Sequence, residues 1–305
     1  MNFNAAVCMV SGRKDILSVT LKLFYKNWNN YYKYPLYIYT LKKIYTKSEI
    51  RFYEQRFEGL KFIELNPFVP KNINSEDLFY KRTYNEYVKK KFDVRRLGFL
   101  HMCYFRSNIT FFGEWGCKKK ILYKYDYLMN IDDDSCFKKR IKFDLFNKLT
   151  KYPMATCHKS IERKKNLALV RENLLFFLKK YVKKYKIKAK NKTLNMILKT
   201  NDEQNLTKLA YSTGNLDLYS MKIFKSKHYR QFINEVNKFG GQYKYRWGDI
   251  EITNLFLYLY YEKPIYSYKL WPKFYEPSHP DAKPLHYKSN FFYLIYKIRS
   301  FFGLT

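Results

Sequence analysis

The 305-residue chain carries 59 Lys and Arg against 26 Asp and Glu, a formal charge of +33, with 47% hydrophobic and 20% aromatic residues. That much apolar content can bury a large core, as one big domain or a domain with an appendage, which excludes a disordered tail; no stretch approaches transmembrane length. The basic excess would attract phosphates of any kind, but it comes with abundant Tyr, Phe, Asn, Ile and Lys and only 10 Gly and 9 Pro, the pattern of a drift toward A/T-rich codons, so it says little about function.

Ala5–Val10 reads as a short apolar strand followed by SGRKD, and 16–28 carries apolar residues at helical spacing. A second strand, 36–40 (LYIYT), starts directly after Pro35, 47–57 reads as a helix, and Leu60–Leu65 is a third strand after Gly59. Alternation of this kind predicts an α/β fold with a mixed, mostly parallel central sheet flanked by helices. Open sheets of that class bind ligands at the carboxyl ends of their strands, where SGRKD and IDDDS fall.

The stretch 123–137, YKYDYLMNIDDDSCF, runs an apolar, aromatic strand straight into Asp132, Asp133 and Asp134. Adjacent carboxylates repel one another and resist desolvation, so a compact fold tolerates them best in water, as an acidic turn, or around a cation. Around a cation they imply a divalent metal with hard oxygen ligands, Mn²⁺ or Mg²⁺, bridging to a substrate's phosphates.

From 163 to 199, thirteen Lys or Arg face a single acid, Glu172, interleaved with LLFFL. This predicts a Lys-rich helical insertion or lid at about 160–200, made of two basic amphipathic helices. Between 211 and 280, YSTGNLDLYSMKIFKSKHY gives a small-residue turn, a short strand and a helix beginning near Ser226, with Asp217 as its only carboxylate. Asp217 either serves a sugar-transfer site as nucleophile or electrostatic partner, or caps a turn. In FGGQYKYRWGDIEITNLFLYLYY, Gly240 and Gly241 end a helix, Asp249 is placed to cap the next, and 252–260 supplies its buried face. Residues 286–305 form a basic, aromatic tail suited to a helix at a membrane interface or docked on the core.

Cys8, Cys103, Cys117, Cys136 and Cys157 show no CxxC pair and no metal-ligand spacing, which favours reduced thiols in a cytosolic setting. The apolar run at the N-terminus is too short for a secretory signal and meets Arg13 and Lys14 at once. The expectation is a soluble or peripheral cytoplasmic protein.

The order of these motifs resembles glycosyltransferase family 15, the fungal α-1,2-mannosyltransferases of GT-A fold. NAAVCMVSGRKDI with YKYPLYIYT is similar to that family's first strand, donor-side loop and second strand. HMCYFRS (101–107) resembles HMCRF-SG, and YDYLMNIDDDSCF resembles YDYYWRVEPDVKF, which puts Asp132 and Asp134 on the family's metal-region carboxylates. STGNLDLYSMKIFKSKHY resembles STNFEIASLDFFRSEAY if Gly214 is one extra residue, and Asp217 then falls on the proposed nucleophile. KFGGQYKYRWGDIEI resembles GGFFYERWGDAPI, matching Trp247, Gly248 and Asp249 in full. The chain departs in Tyr104 for the family's Arg, in Asp132-Asp133-Asp134 for Glu-Pro-Asp, and in the shorter Asp217.

The resemblance implies a catalytic domain over 1–285 acting as a metal-dependent, retaining hexosyltransferase. It would move mannose from GDP-mannose to a glycan or glycoprotein acceptor. Implied metal ligands are Asp132 and Asp134, completed by Glu276 or His279 in KFYEPSHPD. Arg13, Lys14 and Asp133 are the donor-side candidates, and Tyr104, Arg246, Trp247 and Asp249 the acceptor-side ones, with Trp247 and Tyr245 offered as flat surfaces for sugar stacking. Two other readings stand beside it: a UDP-sugar donor, or a basic protein gripping RNA or an anionic surface. Against nucleic acid, the aromatics mostly sit in apolar strand and helix patterns, as core.

Overall fold

The computed structural model describes residues 3–79, 96–108, 121–161 and 171–277. His279, Cys117 and the 286–305 tail therefore lie outside the described residues.

Seven strands form the central sheet: β1 (Ala5–Val10), β2 (Leu36–Leu41), β3 (Leu60–Leu65), β4 (Tyr127–Asp132), β6 (Met154–Thr156), β9 (Leu216–Ser220) and β10 (Ile265–Ser267), in the order β10-β6-β9-β4-β1-β2-β3. All neighbours pair in parallel except β9, which runs antiparallel between β4 and β6. Side chains of a strand alternate between faces, and here the alternation feeds two cores. Ala6, Cys8, Tyr37, Tyr39 and Leu128 enter one cluster, and Ala5, Val7, Met9, Leu36, Ile38 and Met129 the other. Burial on both faces explains why AAVCMV is apolar throughout.

Helix α1 (Lys14–Phe24) lays Leu17, Leu21 and Phe24 on the second cluster. The predicted helix 16–28 thus begins two residues earlier, and Tyr25–Asn29 continues it as a wider turn. Helix α2 (Lys47–Arg56) starts at a Thr46–Glu49 capping box. The opposite face is covered by α3 (Arg96–Ser107), α4 (Leu174–Lys184), α5 (Lys192–Ile197), α6 (Lys227–Phe239) and α7 (Asp249–Tyr260), each contributing to the first cluster.

Within the Lys-rich segment the described residues form two helices, α4 and α5, and α4 is packed into the core. Leu174, Leu175, Phe177, Leu178 and Tyr181 of α4 are buried, and the Phe177 ring lies 5.3 Å from Trp247 and 5.8 Å from Phe232. Lys180, Lys183 and Lys184 face water. The apolar stripe, visible in the sequence as LLFFL, sets the helix's place.

The short strands β5 (Ser135–Phe137) and β11 (Tyr275–Pro277) pair antiparallel, and β7 (Lys159–Ile161) pairs with β8 (Ala210–Ser212). Cys8, Cys103, Cys136 and Cys157 are free and buried. Among the described residues no helix is long and apolar enough to cross a membrane.

Candidate active site

β1 and β4 end side by side, with Val10 opposite Asp132. The chain leaving β1 turns through Ser11, Gly12 and Arg13, and Asp133 closes that turn. Its Oδ2 accepts from the backbone N–H groups of Gly12 (3.1 Å) and Arg13 (3.3 Å), and its Oδ1 accepts from Arg13 Nε (2.9 Å) and Nη2. The second arm of the Arg13 guanidinium donates to Asp134 Oδ2 at 2.8 Å. Burial pulls the Arg13 pKa down, and Asp133 and Asp134 more than reverse it, so the guanidinium stays charged. Of the expected donor-side residues, Arg13 and Asp133 thus hold the loop together. Lys14 is tied to Glu49 at 2.8 Å, and this lysine, with the Thr46 cap, holds the Glu49 carboxyl down to about 2.

Asp132 has two partners of opposite origin. Arg106, on α3, donates Nη2 to its Oδ1 at 2.6 Å, and Asn215 Nδ2 donates to its Oδ2 at 2.8 Å. The Arg106 side chain is only 4% exposed and reaches Asp249 Oδ2 at 3.9 Å with Nη1. Burial raises the Asp249 carboxyl to about 7, with Arg106 opposing and Asp132, Glu251 and Asp217 adding to the rise. Asp249 is not the cap predicted for α7: Gly248 occupies that position, and Asp249 turns inward to Arg106. Arg106 itself escaped the sequence reading. The signal was there, a lone charge inside the otherwise apolar helix HMCYFRS, where an arginine is buried only with partners.

Asp217 sits on β9 opposite Asn130 of β4 and Thr156 of β6. Its Oδ2 accepts from Ser212 Oγ (2.8 Å) and Tyr219 OH (3.1 Å), while its buried Oδ1 has no hydrogen bond. Burial raises the carboxyl to about 6 against the hydroxyls of Thr156, Ser212 and Tyr219 and the charge of Arg106. A turn cap would face water, so the cap reading does not fit. The turn from Ser212 to Asn215 thus holds Asp217 at one end and Asp132 at the other. Gly214 makes that turn: its φ is +77°, and a Cβ there would stand 2.0 Å from Ile250 Cδ1. Ser135 Oγ and Tyr275 OH fix the same turn through the Asn215 carbonyl, at 3.0 and 2.9 Å.

The carboxylates fit a divalent cation. Asp134 Oδ1 is buried and without a hydrogen bond, and burial, then the charge of Asp132, raises the Asp134 pKa against Arg13. A hard cation favours such carboxylate oxygens and would supply the positive charge they lack. Among the described residues no group of three or more His, Cys, Asp or Glu could hold a metal alone. Glu276 is engaged by Lys138 at 3.1 Å.

Of the acceptor-side candidates, Trp247 and Tyr104 are buried in the aromatic core. Trp247 has no exposed surface, stacks on Phe239 at 5.2 Å and donates its indole N–H to the Glu172 carbonyl. Tyr245 stacks on Trp247 at 5.9 Å, as part of the same aromatic core. Tyr104 is 7% exposed and packs on Tyr243. Arg246 lies half-buried with its guanidinium 4.1 Å from the Phe99 ring centroid. Large aromatics close packing voids more often than they line sugar sites, because burial rewards their area.

The family model described as glycolipid 2-alpha-mannosyltransferase matches residues 1–268. The chain is 25% identical over 192 residues to the probable mannosyltransferase KTR3 of Saccharomyces cerevisiae, across 57% of this chain and 44% of that protein, so the match spans under half the length of this curated relative. The fold resembles that of the mannosyltransferase Ktr4p from S. cerevisiae in complex with GDP, with a TM-score of 0.68, 16% identity, and coverage of 86% of this chain and 68% of that one. Core-mannan synthase A (CmsA/Ktr4) from Aspergillus fumigatus, in its Mn/GDP form, gives a TM-score of 0.69 at 16% identity over 87% and 72%. These likenesses show a GT-A fold. Because the family match runs from the first strand through β10 and spans Asp132, Asp217, Arg106 and Asp249 alike, the chain belongs to the glycolipid 2-alpha-mannosyltransferases, glycosyltransferase family 15.

Proposed function

We propose that the protein transfers mannose from GDP-mannose to a hydroxyl of a glycan or glycoprotein acceptor, in α-1,2 linkage and with retention of anomeric configuration. The observation that carries this is the Ser212–Asn215 turn, which holds Asp217 and Asp132 at one end of the sheet. The family membership supports the sugar, and the GDP and Mn/GDP forms of the two solved relatives support the nucleotide and cation.

Asp132 and Asp134 would hold a divalent cation, which when bound supplies positive charge against the departing diphosphate. Arg13, bound to Asp133 and Asp134, would add charge-assisted hydrogen bonds to the same phosphates. As the bond from the sugar's anomeric carbon to the diphosphate breaks, the ring gains positive charge, and the Asp217 carboxylate faces that charge as nucleophile or ion-pair partner. Ser212 and Tyr219 orient it by binding one oxygen, and the other, buried, carries no hydrogen bond. Arg106 keeps Asp132 and Asp249 from repelling each other at this depth.

The test is a thermal-shift panel of GDP-mannose, UDP-glucose and UDP-galactose, each with Mn²⁺, Mg²⁺ or EDTA, on wild type and Asp134→Ala. A metal-dependent rise with GDP-mannose, lost in the variant, is expected. A rise with a UDP-sugar alone would replace the donor, and no rise with any donor would overturn the proposal.

A further inference from the structure

Beside the Ser212–Asn215 turn lies a cavity of about 190 Å³ lined by Arg171, Ser212, Thr213, Asn215, Ile250 and Glu251. One water claims about 30 Å³ of liquid, and drug-sized ligands fill about 300–1,000 Å³. The space therefore suits a single small polyol ring and not a nucleotide. Its location is informative, because Ser212 also binds Asp217 and Asn215 also binds Asp132. If the diphosphate end of a donor lies at the Asp132–Asp134 carboxylates and the anomeric carbon at Asp217, the transferred ring lies against this wall.

The wall carries a charge pair. Arg171 is 1% exposed, its Nη2 stands 3.3 Å from Glu251 Oε1, and its guanidinium lies 4.6 Å from the Tyr211 ring centroid. Glu251, in the first turn of α7, folds back over its own helix start: a Cβ on Gly248 would stand 2.2 Å from Glu251 Oε2. A planar set of N–H donors beside a carboxylate acceptor matches a pair of neighbouring sugar hydroxyls, one accepting and one donating. A buried ion pair contributes little to stability over an apolar replacement, so its presence in the wall of a polyol-sized cavity points to recognition.

We infer that Arg171 and Glu251 read the hydroxyls of the transferred sugar and thereby select which hexose is used. This rests on the donor-binding reading above. The test is calorimetric titration of the full chain with GDP, GDP-mannose and GDP-glucose in Mn²⁺, comparing wild type with Glu251→Gln and Arg171→Lys. Both substitutions keep side-chain volume, and melting curves check that the variants fold. The expected result is a preference for GDP-mannose over GDP-glucose in wild type that falls by roughly tenfold or more in the variants, the value of one charged hydrogen bond, while GDP affinity stays within about twofold. Unchanged preference would overturn the inference, as would a parallel loss of GDP affinity, the signature of a purely structural pair. A wild type silent toward GDP and both sugar nucleotides would instead overturn the donor reading, and this assignment with it.

Discussion

Replacing Arg106 by Met removes the only cation placed between Asp132 and Asp249 among the described residues while keeping the unbranched stem. Truncating one partner of a buried ion pair generally costs about 3–5 kcal/mol, because the remaining charge stays in a poor solvent. Here the lower end applies: Asp132 keeps its Asn215 hydrogen bond and has a side chain 15% exposed, so Asp249 bears most of the loss. The size should depend on pH. Asp249 has a folded value of about 7 against a usual 3.8, so its contribution to stability is full below 3.8 and is lost as pH rises through 7. Without Arg106 that folded value climbs further. The deficit of the variant should then be about 3 kcal/mol at pH 8 and clearly smaller at pH 5.5, where Asp249 carries its own proton. Urea denaturation followed by tryptophan fluorescence at the two pH values measures this, and Asp249→Asn in the Arg106→Met background should recover much of the loss at pH 8. A deficit below about 1 kcal/mol at pH 8, or one that does not change with pH, would refute the reasoning.

Asp217→Asn should lower transfer by at least about 10²-fold, the scale for removing one electrostatic group at a reacting centre, with GDP affinity unchanged by calorimetry. The wild-type rate should fall on the acid side of about pH 6, where Asp217 gains its proton; a flat pH–rate profile through pH 6 would contradict its role as a carboxylate. Phe177→Ala should destabilise the fold by about 3–5 kcal/mol and leave donor affinity intact in a thermal melt with and without GDP-mannose, whereas a lid would show the reverse. Gly214→Ala should lose about 1–2 kcal/mol from its positive φ, and more from the Ile250 contact, part of which Ile250→Ala in the same chain should restore.

The first three strands and the strand entering Asp132 were legible because each is an apolar run bounded by Pro, Gly or charge, and parallel strands buried on both faces look like that. Asp217 could be located by its isolation among apolar neighbours. The remaining site residues were hidden for specific reasons. Arg106 and Glu251 sit in helices whose periodicity advertises only the core. The partner of each comes from a segment distant in sequence, Asp132 for Arg106 and Arg171 for Glu251. Trp247 was misjudged because residue type says nothing about which side of a packed layer a ring occupies. The Lys-rich helices were legible as amphipathic, but where α4 packs was not, because its partners Phe232 and Trp247 come from segments distant in sequence.

The reversed direction of β9 bears on how much of the chain between Asp132 and Asp217 can change. Asp132 and Asn215 are 83 positions apart in the chain yet share a hydrogen bond, because β4 ends where β9 begins and the two are laddered through five residue pairs. The spacing of Asp132 and Asp217 is thus a property of the ladder. The chain between them contributes β6 to the far side of β9 and otherwise runs outside the main sheet, so the stretches flanking β6 can change length without changing that register. Insertions, deletions and a wholesale change of surface charge can accumulate between β6 and β9 without moving either carboxylate, and it is there that this chain carries its lysine-rich helices.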